Sequence, residues 1–473
     1  YNDSKFLIDC FNSLTEQKVF CSPSEYAVRN RYLSEATTSR PGAYSFDSTP
    51  YLKEIIDCFA PESKIRQVAY MKGAHVGGTV GVIENLIVYN IGERPCPQIY
   101  ITATRELAEK RFTDNIDPAI ESCSLRDRLV TPSGNKKRSA DKILKKEYIG
   151  GSLVGSGGQT GTIGRSSSFR IAYIDEIDAI EEVKGEGSFQ SLIENRVFKA
   201  FRDGKVFYIS TPKTLQTSNI YKLFMRGDQR YYNIPCQHCG ELIPLEWHVH
   251  PDKTKHGKTA GIIFETENDK LVFESVRYRC QVCGGEFFEY YKKANLKNGV
   301  WIPTAEPEDK YFRSYHSNAL YSPIYTWIGM TRKFLAAWDI KKNKVKDLQI
   351  YKDFRQTDQG LPFEEIGEAV KHEKIIRNRR MYKSGIVPNK LAQDDGAGKI
   401  LFLLCACDVQ KDHLYIDIKG VCKNGVTYTI DFLTTSLGDT ADIKSNPWNE
   451  LKYKLQQEIY FDETGQKYII NCT

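Results

Sequence analysis

The sequence predicts an α/β protein organised on a parallel sheet, and three observations carry that prediction. From about residue 66, short apolar strands alternate with helical patterns, the signature of βαβ units. A glycine-rich loop, YMKGAHVGGT at 70–79, follows the first of these strands. A later strand, RIAYIDEIDAI at 170–180, ends in two acids. Strands are expected at 66–71, 98–103, 170–174 and 205–210. After Thr79, Val80, Ile83, Leu86 and Ile87 recur at helical spacing, and Gly92 with Pro95 ends that helix. A second helix is expected over 105–120, and two more near 332–340 and 349–356. The glycine- and serine-rich run 150–168 precedes the acidic strand, where loops line a ligand crevice.

A chain of 473 residues buries two or three separate cores. With 41% apolar and 27% charged residues it reads as globular rather than disordered. No apolar run approaches a membrane span, so no membrane partner is expected. The first residue is Tyr1 and no signal sequence follows, so a cytosolic location is expected. The net charge of +6 permits nucleic-acid binding without demanding it. Thirteen cysteines without a secretory signal point to reduced thiols or metal ligands rather than disulfides.

A phosphate loop works because consecutive backbone N–H groups face phosphate oxygens, a lysine reaches the β and γ phosphates, and a Ser or Thr hydroxyl takes Mg²⁺. Gly73, Gly77 and Gly78 allow the close approach, and Thr79 opens the helix whose positive end faces the phosphates. The usual lysine before that threonine is missing, because the position is Gly78; Lys72, at the front of the loop, is expected to supply the charge. At the second motif, Asp175 is expected to hold Mg²⁺ and Glu176 to orient and deprotonate the attacking water. Ser210 and Thr211, at the end of VFYISTP, are placed either to sense the γ-phosphate or to form a simple turn. Each motif has a plain alternative, an ordinary strand-to-helix turn for the loop and helix-capping carboxylates for the acids. Together, in this order on one sheet, they point to nucleotide hydrolysis.

Cys236 and Cys239 in IPCQHCGEL, and Cys280 and Cys283 in YRCQVCGGE, form two Cys-x-x-Cys pairs, each followed by glycine. Four thiolates close a tetrahedral zinc site and leave no position for water, so a structural zinc is expected. His238 inside the first pair is expected to be a solvated loop residue.

The segments MKGAHVGGT, YIDEID, ISTPKTLQTSNIYKLFMRGDQRYYNIPCQHCG and LFLLCACDVQKDHLYIDI, in this order, resemble the large terminase subunit of tailed bacteriophages of the lambda type, from about residue 23 onward. The resemblance implies a P-loop NTPase sheet with a zinc-binding insert, followed by a ribonuclease H-like α/β nuclease domain. It implies an ATP-driven motor that packages double-stranded viral DNA into a procapsid and a metal-dependent endonuclease that cuts concatemers. The implied partners are double-stranded DNA, a small terminase subunit and the portal of the procapsid, with a homo-oligomeric ring as the working state in the bacterial host cytoplasm. By the same resemblance, Tyr51 in FDSTPYLKEI stacks on adenine, with a core tyrosine as the alternative; Ser210 and Thr211 couple hydrolysis to movement; and Asp408 is the first nuclease metal ligand. Arg105 and Arg165 are its candidates for a charge-stabilising arginine, with a solvated or phosphate-binding role as the alternative for each, and some lambda-type members share the front-lysine variant.

The expected organisation is an N-terminal extension at 1–47, the ATPase domain at 48–231, the zinc insert at 232–302, a helical connecting region at 303–386, a linker at 387–399 and an incomplete nuclease domain at 400–473. Asp417 is a weaker nuclease candidate than Asp408; the next acid is expected beyond Thr473, and the chain as given is expected not to cleave DNA. Lys136, Lys137, Arg138, Lys142, Lys145 and Lys146 form a basic patch that is either a DNA contact or a solvated face. Two other classes compete with the motor: a helicase-like ATPase, and a zinc-bearing DNA-binding scaffold whose nucleotide fold is inactive because of Gly78.

Overall fold

Val68 to Met71 are each at most 1% exposed, and the whole of Ile171–Asp175 is buried. Strands this apolar must be covered on both faces, which a parallel sheet wrapped by helices provides. The computed structural model describes residues 20–33, 41–130, 143–158, 168–180, 189–268, 270–364 and 379–472. The chain divides into two units, Tyr1–Glu365 and Ile366–Thr473.

The first unit is built on a ten-stranded sheet. Its strands are β1 (Gln67–Lys72), β2 (Gln98–Thr102), β3 (Lys145–Tyr148), β4 (Gly151–Gly157), β5 (Ile171–Asp175), β6 (Lys205–Ser210), β7 (Arg230–Pro235), β8 (Leu242–Pro244), β9 (Val300–Ile302) and β10 (Phe312–Ser317). Their order is β8-β7-β10-β1-β6-β5-β2-β4-β3, with β9 also paired to β7. All neighbours from β7 to β4 are parallel, and the antiparallel strands lie at the rims. The four strands expected from the sequence are β1, β2, β5 and β6, three of them with ends displaced by one residue. β6 opens on Lys205, which is only 2% exposed; its ammonium donates to the carbonyls of Cys58, Ser63 and Ile65, which replaces the water it loses.

The helix after the loop begins with a π-helical turn at Thr79–Glu84 and continues as Asn85–Gly92, ending where the sequence placed its stop. The helix expected over 105–120 is likewise continuous, with a π-turn at Phe112–Ile116 between Arg105–Arg111 and Asp117–Ser122. The later helices are Trp327–Ala337, and Leu348–Asp353 with a π-turn at Phe354–Asp358.

Three expected boundaries differ from the structure. The stretch 232–302 is not a separate insert: its ends form β7, β8 and β9 of the main sheet, and Cys236, Tyr278 and Cys280 share one apolar core with Tyr70, Val82 and Leu86. What stands apart from the main sheet is a four-stranded antiparallel sheet, His248–Val249, Ala260–Glu267, Lys270–Arg279 and Glu286–Phe287. The connecting region 303–386 contains β10, which lies directly beside the loop strand β1. Its sequence, FRSYHS, reads as polar; Ser314, Ser317 and His316 are buried because the neighbouring backbone and side chains take their hydrogen bonds.

The linker expected at 387–399 is also part of a core. In the second unit Val387 and Ala392 are fully buried, and Asn389 donates to Asp462 and Tyr468 while accepting from the Ile400 N–H. That unit carries a four-stranded sheet of β11 (Ile400–Val409), β12 (Leu414–Cys422), β13 (Thr427–Thr434) and β14 (Ile470–Cys472), in the order β13-β12-β11-β14. Only β14 runs parallel to its neighbour.

Candidate functional site

The order β1-β6-β5 sets the site. β1 ends at Lys72, β5 at Asp175 and, between them, β6 at Ser210, so the parallel direction brings all three motifs to one edge.

Loop 73–79 is held by residues far away in sequence. The Gly73 N–H donates to Ser317 O at 2.8 Å and the Ala74 N–H to Thr357 O at 2.6 Å. Ser322 Oγ donates to His75 O at 2.7 Å, and the Tyr51 hydroxyl donates to Val76 O at 3.0 Å. No described carbonyl takes the N–H groups of His75, Val76, Gly77 or Gly78, which leaves them for an anion. His75 and Gly77 both have positive φ, 59° and 78°, the alternation that gathers successive N–H groups into a concavity. Gly73 is required for space: a β-carbon there would lie 3.0 Å from the backbone of Thr357, Asp358 and Ala319.

Gly78 and Lys72 answer each other. A β-carbon at 78 would run into the methyl end of Ile209 and come within 3.1 Å of the Tyr70 ring and 3.4 Å of the Lys72 Cδ. The obstacle to a side chain at 78 is Ile209, with the Lys72 methylenes in van der Waals contact beside it. The Lys72 side chain is 12% exposed and its ammonium reaches Glu176 Oε1 at 3.4 Å. The Lys72 ammonium thus lies at the front of the loop, on the side of Glu176.

Asp175 is 1% exposed, and the Tyr100 hydroxyl donates to its Oδ2 at 2.8 Å. Its Oδ1 has no partner among the described residues. Burial, then the adjacent Glu176, pushes its pKa up to about 6. A buried carboxylate with one oxygen unanswered fits a hard cation, which commonly takes one protein carboxylate and completes its shell with phosphates and water. Glu176 sits at φ 57°, a left-handed conformation rare for a residue with a side chain, held by its N–H on Ile209 O at 2.8 Å. Ser210 Oγ donates to Glu176 Oε2 at 3.3 Å, so Glu176 lies between the lysine and the serine.

Asp178 was not anticipated. Its carboxylate accepts from the N–H groups of Lys213 and Ile220 at 2.8 Å each, pinning the turn that follows Ser210, Thr211 and Pro212. The signal was the third acid in YIDEID.

A family model described as "Phage terminase large subunit gpA, ATPase domain" matches residues 38–301, and one described as "Terminase large subunit gpA, endonuclease domain" matches 312–473. The chain belongs to the phage terminase large subunit gpA family. It is an ATPase and nuclease enzyme with an ATP-binding domain. Among solved structures, the Thermus phage P74-26 large terminase ATPase domain matches at 14% identity, 67% of this chain, 96% of that one and a TM-score of 0.34. The HK97 bacteriophage large terminase matches at 10%, 88%, 67% and 0.40, and the large terminase of a thermophilic bacteriophage in complex with ADP at 11%, 87%, 72% and 0.35. Similarities this low carry no residue-level comparison. No curated protein matches the chain.

In the terminase the two Cys-x-x-Cys turns are near copies. The Cys236 N–H donates to Glu241 O and the Gly240 N–H to Cys236 O; Cys280 with Gly285, and Gly284 with Cys280, repeat this, all four bonds measuring 2.9–3.0 Å. Gly240 and Gly284 have φ of 75° and 74°, the left-handed turn the glycine after each pair foreshadows. Backbone N–H groups of His238, Val282 and Gly285 donate to the sulfurs of Cys236, Cys280 and Cys283, which favours thiolates. The four sulfurs lie within 4.8 Å of one another and those of Cys236 and Cys283 are 3.9 Å apart; ligands at ~2.3 Å on a tetrahedron are about 3.8 Å apart. His238 is more than a solvated loop residue: its Nε2 donates to Glu286 O at 2.8 Å, tying one turn to the other.

The other expected residues fall as follows. Tyr51 is fully buried with Tyr232 and Tyr321 edge-on to its ring, so no ring face is open to adenine; it is a core tyrosine that grips the loop through its hydroxyl. Thr79 opens the π-turn, and the Thr211 carbonyl accepts from Ser210 Oγ. Arg105 pairs with Glu109 at the exposed start of its helix; Arg165, like Lys136, Lys137, Arg138 and Lys142 of the basic patch, lies outside the described residues. Lys145 pairs with Glu147, and Lys146, 12% exposed, with Asp117. Lys146 is thus a packed cation rather than a free phosphate contact. In the second unit Asp408 is opposite Tyr415 and Asp417 opposite Ala406, which puts both acids on the sheet face away from the core of Leu403, Cys405, Ile416 and Ile418. Asp408 is exposed and accepts from Gln410; Asp417 pairs with Lys419, and its buried Oδ1 has no partner among the described residues.

Proposed function

We propose that this terminase drives double-stranded viral DNA into a procapsid by ATP hydrolysis in the first unit, and that its second unit, completed in the full-length chain, cuts concatemeric DNA. The observation that carries the reading is the convergence of Lys72 and Ser210 on the Glu176 carboxylate beside the free N–H groups of the loop. The loop N–H groups and Lys72 bind the β and γ phosphates. Asp175, with Thr79, would hold Mg²⁺, which neutralises developing phosphate charge. Glu176 orients the attacking water and takes its proton; on binding, Lys72 exchanges the carboxylate for phosphate and releases Glu176 to act as the base. Ser210 leaves Glu176 at the same moment, and because Asp178 pins the turn after Ser210, the change reaches residues 213–220.

Cys236, Cys239, Cys280 and Cys283 hold a structural zinc in this reading, and Asp408 with Asp417 the nuclease metals, which require carboxylates on different strands. The partners are DNA, a small terminase subunit, a portal and further copies of this chain in a ring, in the host cytoplasm. No helix among the described residues is long and apolar enough to cross a membrane. The test is DNA-stimulated ATP turnover in the parent, Lys72→Ala and Glu176→Gln. Turnover in the parent alone supports the assignment; equal turnover in all three removes Lys72 and Glu176 from the chemistry.

A further inference from the structure

A second cavity, of about 780 Å³, lies in the first unit away from the phosphate loop. Its volume falls in the range, roughly 300–1,000 Å³, of small-molecule sites. One wall is a run of rings: Trp247 and Phe334 have centroids 5.1 Å apart, Phe334 and Trp338 5.9 Å, and Trp338 and Tyr351 5.4 Å. The floor is Tyr231 against the buried His316, 5.3 Å apart. The cation is Arg355, whose guanidinium donates to the Gln359 carboxamide and pairs with no carboxylate among the described residues. Glu246 and Asn343 add an acceptor and a carboxamide to the lining.

Aromatic rings lining a cavity, a guanidinium with no carboxylate partner among the described residues and a few edge hydrogen-bonding groups are what a base with its phosphate requires. We propose that this cavity is a second nucleotide site, distinct from the phosphate loop, which takes one unpaired nucleotide with its base on the Trp338–Tyr351 wall and its phosphate on Arg355. The chemistry is common to a free nucleoside monophosphate and to an unpaired nucleotide of a DNA strand. The site has a route to the ATPase. Arg355 belongs to the turn Phe354–Asp358, whose Thr357 carbonyl takes the Ala74 N–H; His316 Nε2 donates to Gln359 and Gly360 carbonyls, and a β-carbon at Gly360 would lie 2.6 Å from Gly73 N. Occupancy therefore bears on the segment that clamps the loop.

Tryptophan emission, to which Trp247 and Trp338 contribute from the cavity, reads binding directly. The full chain without ATP is titrated with thymidine 5′-monophosphate, a short oligodeoxythymidylate and a blunt duplex. Thymidylate lacks the β and γ phosphates for which the loop is built. The expected result is quenching by the oligonucleotide, by the monophosphate or by both. It should weaken about tenfold or more in Arg355→Gln, lose amplitude in Trp338→Leu and persist in Lys72→Ala. Quenching by the oligonucleotide alone identifies an unpaired strand as the source; equal quenching by the monophosphate identifies the free nucleotide. In the unaltered chain, an oligonucleotide carrying 5-iododeoxyuridine should photocrosslink to a peptide within 338–355. No quenching by either ligand, equal quenching by the blunt duplex, insensitivity to Arg355→Gln, loss in Lys72→Ala, or crosslinks confined to other peptides would each overturn the proposal.

Discussion

Asp175 and Asp408 look alike in sequence, each an aspartate closing an apolar strand, yet the two units treat them differently. β5 lies between parallel neighbours and is covered on both faces, so Asp175 is enclosed, bonded by Tyr100 and left with one unanswered oxygen. β11 belongs to a mainly antiparallel sheet with one covered face, and Asp408 is on the other. The difference teaches that preorganisation comes from neighbouring strands, not from the local motif. At Asp175 the loss of water has been accepted in exchange for fixed geometry; at Asp408 the carboxylate keeps its hydration.

The largest expected effect separates the two acids by function. Glu176→Gln, next to Asp175, should lower ATP turnover by about 10²–10⁴-fold, the usual worth of a general base. Asp408→Asn should leave it within about twofold. If both variants lose turnover equally in a steady-state ATPase assay, the separation of roles between the units is wrong.

Next comes the proposed structural zinc. Because Cys236 and Cys280 share an apolar core with the residues behind the phosphate loop, chelation or Cys280→Ala should lower the melting temperature of the first unit and its ATP turnover together. Turnover that survives full removal of zinc would show the cluster to be independent of the motor.

The pH dependence of stability sharpens the contrast in burial. The folded pKa of Asp175, about 6, exceeds the ordinary 3.8, so its stabilising contribution is present at low pH and is lost as pH rises from about 4 through 6. The size is about 3 kcal/mol for a shift of about two units. His316 works in the opposite sense, since burial lowers its pKa to about 4 and its contribution is lost as pH falls from 6.5 through 4. Without nucleotide, Asp175→Asn should therefore gain stability on the parent as pH rises from 4 to 6, a constant offset aside. Denaturant unfolding at several pH values checks this, and a gap that stays constant would show Asp175 to be hydrated like Asp408.

The smallest expected effect is that of Tyr51→Phe. Loss of one hydroxyl bond to Val76 O should cost about 1 kcal/mol and raise the KM for ATP severalfold with little change in kcat. A tyrosine stacked on adenine would instead tolerate Phe with KM unchanged.

Much of the candidate site was legible because each motif is short and chemically unusual. Gly73, Gly77, Thr79 and the acids after YI mark strand ends whatever surrounds them, and the doubled Cys-x-x-Cys-Gly implied two matching turns that the structure contains. β10 was not legible, because FRSYHS carries none of the apolar pattern expected of a central strand; its serines and histidine are satisfied only once β1, β7 and the 359–360 carbonyls are in place. The linker at 387–399 misled for a related reason. Its polar and glycine-rich composition hides Asn389, whose three hydrogen bonds exist only when residues 400, 462 and 468 have been brought to it.

The sequence by itself determined the chemical groups and their order: a lysine before a glycine loop, two acids after an apolar strand, hydroxyls after the next, and two thiol pairs. Tertiary structure alone decided that β6 sits between β1 and β5, so that Lys72, Ser210 and Glu176 meet, and that residues 317–322 and 357 hold the loop from outside. The physical reason is that hydrogen-bond partners and burial depend on contacts between residues distant in the chain, which local spacing does not encode. Gly78 stands at the junction of the two, since its departure from the usual lysine is read from the sequence, and the close approach of Ile209 that favours a glycine there is visible only in the fold.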